Sequence, residues 1–218
     1  MVADRIHLVR HGEVHNPEGV LYGRLPNFGL SELGHRMAFA AAEEIKSQGR
    51  RITGLYCSPL QRTRESARPF TKIFGLDAIA DDRLLEPTNV FQGQRMTPSR
   101  LLLQPHRWIH FRNPSRPSWG EPYAEIVARV TEAVVEAAKS VASGDVVIVS
   151  HQLPIWMLHS SVSGAQLRHN PTQRRCSLSS ITSFELVDGK LVEVDYREPG
   201  RLLGEREAGR AIIDQGAV

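Results

Sequence analysis

The chain has 218 residues, with 27 Lys and Arg against 24 Asp and Glu, and is 41% apolar and 23% charged. It is too apolar and too evenly charged for a disordered tail, and 17 Gly and 13 Pro are too few for a collagen-like or low-complexity chain. One compact domain is expected, large enough to bury a core without disulfides or metals.

Ile6, Leu8 and Val9 predict a first strand that ends at Arg10-His11-Gly12. Residues 13–30 are rich in Gly, Pro and Asn and read as loop. Ser31 is the expected N-cap of a helix carrying Leu33, Met37, Phe39, Ala40 and Ile45, with Gly49 as its stop. Ile52 to Cys57 predicts a second strand. Ser58 and Pro59 then offer a cap and a first-turn proline for a helix that runs to about Phe74, where Gly75 ends it. A short strand is expected within residues 76–80, followed by an irregular stretch around Glu86 and a proline-rich, broken region over 97–120.

Helical spacing of Ile126, Val127, Val130, Val134 and Ala138 predicts a helix from Tyr123 to Ser143. Val146 to Val149 reads as a strand buried on both faces, with Ser150-His151 at its end. An amphipathic segment over 153–162 follows. Ser180 to Leu186 and Leu191 to Tyr196 flank Asp188-Gly189, a two-residue hairpin signal. Strands alternating with helices predict an α/β fold, a three-layer α/β/α sandwich with a mostly parallel central sheet and a C-terminal β-hairpin. Residues 1–197 are expected to form a single domain, with 95–120 as a substrate-facing insertion and 198–218 as a partly mobile tail.

Cys57 and Cys176 form no CxxC pair and read as ordinary thiols of a reducing compartment. Asp4, Arg5 and Arg10 interrupt the apolar run that a signal peptide would need, and no stretch approaches the roughly 20 apolar residues of a membrane span. A soluble, cytoplasmic protein is therefore expected.

The cationic residues are 23 Arg and only four Lys, and the acids are unevenly placed. Residues 87–120 hold no acid but five Arg (95, 100, 107, 112 and 116), and residues 151–184 hold no acid but three (168, 174 and 175). Two locally cationic segments point to an anionic ligand. Ligands of open α/β sheets sit at the carboxyl ends of strands, where this chain has Arg10-His11, Ser58 with Arg62, and Ser150-His151.

Here the chain resembles the histidine phosphatase superfamily, also called the phosphoglycerate mutase-like family. The resemblance is carried in order by LVRHGEVHN (8–16), YGRLPNFGLSELG (22–34), YCSPLQRTRESA (56–67), RLLE (83–86), GEPYAEIVARV (120–130) and VVIVSH (146–151). It implies that His11 is the nucleophile that takes the phosphoryl group, that Arg10 and Arg62 clamp its oxygens, and that His151 completes the cationic pocket. The chemistry suits these types, since guanidiniums disfavour a protonated imidazole and also bind the dianion. Such a pocket supplies the charge that Mg²⁺ supplies elsewhere, so no metal and no cofactor are expected.

The resemblance further implies that an acid after the third strand gives the leaving group its proton, here most simply Glu86, with Glu13 and Glu121 as rivals. Asn16 and Gln152 are expected to contact phosphate, although Asn16 lies five residues after the nucleophile where many relatives have an Asn at six. Tyr22, Gly23, Arg107 and Arg112 are further substrate-binding candidates. His11 and His15 with Glu13 between them do not make a zinc helix, because Gly12 and Pro17 break it. No P-loop or GxSxG elbow is present, and Ser58 and Ser150 read as caps or strand ends.

The expected activity is metal-independent hydrolysis of a small phosphomonoester through phosphohistidine. A mutase that returns the phosphoryl group to a second hydroxyl is the alternative, using the same residues. An Arg-rich nucleic-acid-binding module is disfavoured, since no aromatic–basic interleaving is present. The expected partner is thus a small phosphorylated substrate, not nucleic acid or membrane, with homodimerisation left open.

Overall fold

The computed structural model describes residues 2–95 and 120–203. Six strands form one sheet: β1 (Arg5–Arg10), β2 (Ile52–Cys57), β3 (Ile79–Ala80), β4 (Asp145–Ser150), β5 (Ile181–Val187) and β6 (Lys190–Arg197), in the order β3-β2-β4-β1-β5-β6. The first four in that order run parallel, and β5 and β6 complete the sheet antiparallel. Among the described residues four long helices cover it: α1 (Glu32–Ser47), α2 (Gln61–Phe74), α3 (Tyr123–Lys139) and α4 (Gln152–Val162).

Side-chain alternation along the strands divides the core in two. Ile6, Leu8, Val146, Ile148 and Phe184 point to one face, under Ile126, Val130 and Val134 of α3 and Ile155 and Met157 of α4. Val9, Leu55, Val147, Val149 and Ile181 point to the other, under Ala41 and Ile45 of α1 and Ala67 and Phe70 of α2. With both faces covered, every residue of β4 is buried, which explains its unbroken apolar run. The expected α/β/α sandwich with a mostly parallel sheet is the observed architecture.

Several local expectations are matched by specific contacts. The Ser31 hydroxyl accepts from the Gly34 amide and caps α1, and Gly75 ends α2 at φ 69°. Asp188 and Gly189, at φ 50° and 75°, turn β5 into β6 as a two-residue hairpin.

Others need correction. Helix α2 starts at Gln61 with Leu60 as its uncapped first flank, so Ser58 is not a helix cap. Helix α3 stops at Lys139 rather than Ser143, because residues 140–144 form the turn that feeds β4, with Gly144 at φ 82°. Strand β3 shrinks to two residues, paired only with Tyr56 and Cys57 at the sheet edge. Phe39 lies on the outer side of α1 and is 54% exposed. Arg107, Arg112, nearly all of the 95–120 insertion and most of the tail lie outside the described residues. Among the described residues no helix is long and apolar enough to cross a membrane.

Candidate active site

Strand register builds the centre of the site. In the parallel β1–β4 pair Arg10 stands opposite Ser150, and the His11 amide donates to the Ser150 carbonyl at 3.1 Å. The next residues of the two chains, His11 and His151, therefore leave the sheet side by side, with ring centroids 5.3 Å apart and edge to face. Gly12 follows because nothing larger fits: a Cβ there would lie 2.2 Å from the Gly34 carbonyl oxygen.

Each cationic group is held by a neutral acceptor. The Arg10 Nη1 donates to the Cys176 carbonyl at 2.6 Å, and the Arg62 Nη2 to the Gly23 carbonyl at 2.7 Å. The Arg62 guanidinium also lies over the Tyr22 ring, 4.7 Å from its centroid. These carbonyls and the ring face help to fix the two side chains. Arg10, His11, Arg62 and His151 are all at most 2% exposed.

His11 Nδ1 lies 2.7 Å from the Gly12 carbonyl oxygen. A carbonyl only accepts, so Nδ1 is the donor in this contact, and in the neutral form of the ring the lone pair is on Nε2. His151 Nε2 lies 2.8 Å from the Ser58 hydroxyl, which is the role of Ser58 in place of helix capping. Burial, and then Arg62, His11 and Arg10, push His151 well below the ordinary imidazole value, so its ring is neutral.

Glu86 follows the short 3-10 turn after β3 and is 5% exposed. Its Oε2 is 3.6 Å from His151 Nδ1, an imidazole nitrogen that makes no hydrogen bond among the described residues. Burial raises the Glu86 carboxyl above its ordinary value, against the opposing pull of Arg62, Arg174, Arg10 and Arg129. With the carboxyl raised and the imidazole lowered, both shifts favour the neutral forms at this contact. The rival carboxylates are engaged elsewhere. Glu13 accepts from the Ser31 hydroxyl at the start of α1, and Glu121 receives both Nε and Nη2 of Arg129 at 2.6 and 2.9 Å.

The remaining expectations separate. Tyr22 and Gly23 are at the site, where their visible role is to hold Arg62. The Asn16 amide bonds both ways to the Val20 backbone, at 2.9 and 3.2 Å, and stiffens its own loop. Gln152, at the start of α4, accepts from Arg174 Nη1 at 3.1 Å. Arg174 itself was not among the expected site residues. Its Nε donates to His169 Nε2 at 2.8 Å, burial lowers its pKa to about 10, and its charge acts on Glu86. The only sequence signal for it was the acid-free stretch 151–184 that contains it.

Fold and geometry together define a class: an α/β protein with a cationic pocket around two histidines at the carboxyl edge of a parallel sheet. The chain belongs to the histidine phosphatase superfamily (branch 1), whose family model matches residues 6–198. It is 45% identical over 199 residues to the uncharacterised protein Rv0525 of Mycobacterium tuberculosis, covering 91% of this chain and 98% of that one. It is 29% identical over 199 residues to the probable phosphoglycerate mutase GpmB of Yersinia enterocolitica, covering 87% and 91%. The mycobacterial glucosyl-3-phosphoglycerate phosphatase superposes with a TM-score of 0.69 at 21% identity, covering 89% and 98% of the two chains, and shares the fold. Family and pocket make the chain a phosphatase or phosphoryl-transfer enzyme.

Proposed function

We propose that the protein is a metal-independent phosphatase that hydrolyses a small phosphomonoester through a phosphohistidine on His11. The observation that carries this reading is the His11 ring, which donates through Nδ1 to the Gly12 carbonyl, so that in its neutral form the lone pair is on Nε2, in a ring that stands against His151. A buried imidazole so oriented is a nucleophile, and the surrounding guanidiniums stabilise the charge on the transferring oxygens.

In the first step the His11 Nε2–P bond forms as the ester O–P bond breaks, and Glu86 gives its proton to the departing alkoxide. Burial favours this, because it raises the Glu86 carboxyl and so favours its proton-donating form. In the second step the Glu86 carboxylate takes a proton from water, the water oxygen bonds to phosphorus, and the N–P bond breaks to release phosphate. Arg10 and Arg62 bind the dianion in both steps.

Rapid base quench of the enzyme with a ³²P-labelled ester tests the intermediate. Base-stable, acid-labile label on wild-type protein and none on His11→Ala, with turnover lost, is the expected result. Wild-type-like turnover of His11→Ala would refute the reading. Incubation with 3-phosphoglycerate and a bisphosphoglycerate primer distinguishes the mutase: interconversion without phosphate release would replace hydrolysis by isomerisation.

A further inference from the structure

Burial raises the Glu86 carboxyl, and the arginines that oppose it most are Arg62, Arg174, Arg10 and Arg129, in that order. Three of these stand on regular elements, Arg10 at the end of β1, Arg62 in α2 and Arg129 in α3, so strand pairing and helix packing place them. Arg174 comes instead from the loop between α4 and β5, directly after the short 3-10 turn Pro171–Gln173. A long side chain on a loop needs an anchor of its own to keep one geometry.

His169 supplies that anchor. The Asn170 side chain accepts from the Thr172 amide at 3.1 Å and Pro171 opens the turn, which brings His169 and Arg174 together across it. His169 Nδ1 lies 2.7 Å from the Leu167 carbonyl oxygen and is therefore the donor there, so the lone pair of the neutral ring is on Nε2. Arg174 donates through Nε to that Nε2 at 2.8 Å, and through Nη1 to the Gln152 side chain at 3.1 Å. Gln152 directly follows His151, and its Nε2 shares the Cys176 carbonyl with Arg10 Nη1, at 3.4 and 2.6 Å. The His169 ring is itself flanked by Tyr123 of α3 and Trp156 of α4, with centroids 5.6 and 5.7 Å away. Two helices that pack on the same face of the sheet thus hold a ring that holds the guanidinium.

A protonated ring would set N–H against N–H and break this seat. Burial lowers His169, the Leu167 carbonyl opposes that, and the Arg174 charge adds to the lowering, so the balance favours the neutral form. Among the described residues Tyr123 and Arg174 are the titratable or charged groups against the ring; His159 lies beyond Trp156, and Arg168 is exposed.

We propose that His169 is a positioning residue of the catalytic site: it seats Arg174 beside Gln152, where the guanidinium charge acts on the proton donor Glu86. This deepens the phosphatase reading above and rests on its assignment of Glu86.

The Glu86 titration in the full-length enzyme tests this in two ways: the alkaline limb of kcat/KM on glycerol 1-phosphate, and the ¹³C carboxyl resonance of labelled glutamate that disappears in Glu86→Gln. His169→Phe keeps a ring between Tyr123 and Trp156 but offers no acceptor, and His169→Leu removes both. Either is expected to move both midpoints to higher pH by roughly a unit or less, in the direction of Arg174→Gln, because the cation that favours the carboxylate has lost its seat. Adding Arg174→Gln should move them little further, since both changes act through one guanidinium. His169→Gln, whose side-chain carbonyl can accept from Arg174 Nε, should keep the wild-type midpoints. Midpoints unmoved in His169→Phe and His169→Leu, with only thermal unfolding or overall activity lowered, overturn the proposal, and so do shifts that add in the double variant. Absent turnover of both glycerol 1-phosphate and an aryl phosphate, with the carboxyl resonance still shifted as expected, overturns the phosphatase reading and leaves the seating of Arg174 standing, so the two failures are distinguishable.

Discussion

Two clusters of buried histidine and charge occupy opposite ends of the sheet, and they are built on different principles. At the amino end, His7 in β1 has both ring nitrogens engaged, Nδ1 with the Ser183 hydroxyl at 2.9 Å and Nε2 with Asp145 at 3.1 Å. Asp145 in turn receives Nε and Nη2 of Arg50. Here each charge meets its opposite, and the result ties β1, β4 and β5 together. At the carboxyl end, Arg10, Arg62 and Arg174 act on His151 and the Glu86 carboxyl, and burial disfavours the charged form of both. The first cluster is complete as it stands. The second gathers cations around groups that burial shifts toward their neutral forms, an arrangement suited to an anionic ligand.

Substitutions should separate the two. After the loss of turnover expected for His11→Ala, the largest effect is expected for Glu86→Gln on alkyl phosphates, about 10² to 10⁴-fold in kcat/KM, with aryl esters that need less protonation losing much less. In wild type, kcat/KM should fall as pH rises through the raised Glu86 value, because the donor loses its proton there. That alkaline limb should vanish in Glu86→Gln, and its persistence would reassign the acid.

At the amino end, Asp145→Ala should cost about 3 to 5 kcal/mol of stability, roughly 10 °C in Tm, since it leaves a buried cluster without its anion. Its kcat should stay near wild type. Burial pushes the Asp145 carboxyl up, but bonds from Arg50 and His7 outweigh it and hold the group below its ordinary range. A carboxyl lowered on folding stabilises the fold above its unfolded pKa, and that stability is lost as pH falls through the folded value. Acid denaturation by calorimetry should therefore show a smaller pH dependence in Asp145→Ala.

Arg62→Ala or His151→Ala should raise the barrier by about 2 to 4 kcal/mol, the scale for loss of one preorganised charge or donor, read from kcat on a generic aryl phosphate. The smallest effect is expected from Arg174→Gln. Removing a cation that favours the Glu86 carboxylate should move the alkaline limb to higher pH, by roughly a unit or less. A purely structural role for Arg174 would lower activity without moving the limb.

Much of this contrast was legible in sequence. Local chemistry placed Arg10-His11, Arg62 and Ser150-His151 at strand ends, and helix periods with their caps placed α1 and the body of α3. Periodicity could not rank Glu13, Glu86 and Glu121, because all three are short-range neighbours of motif residues. What separates them is the Ser31 hydroxyl, burial beside His151, and Arg129. It also misread Ser58, since Ser-Pro before a helix has the local form of a cap. The hydroxyl instead meets a histidine 93 positions away.

The sequence by itself determined the class of fold, the order of its elements and the two histidines and two arginines of the pocket, because these depend on hydrophobic period and on motifs within a few residues. Only the tertiary structure decided which carboxyl is buried, that Arg174 reaches the site from a loop before β5, and that Tyr123 and Trp156, from two helices, flank His169. Those facts depend on parallel strand pairing and helix packing between distant segments, and proximity of that kind leaves no local pattern in the chain.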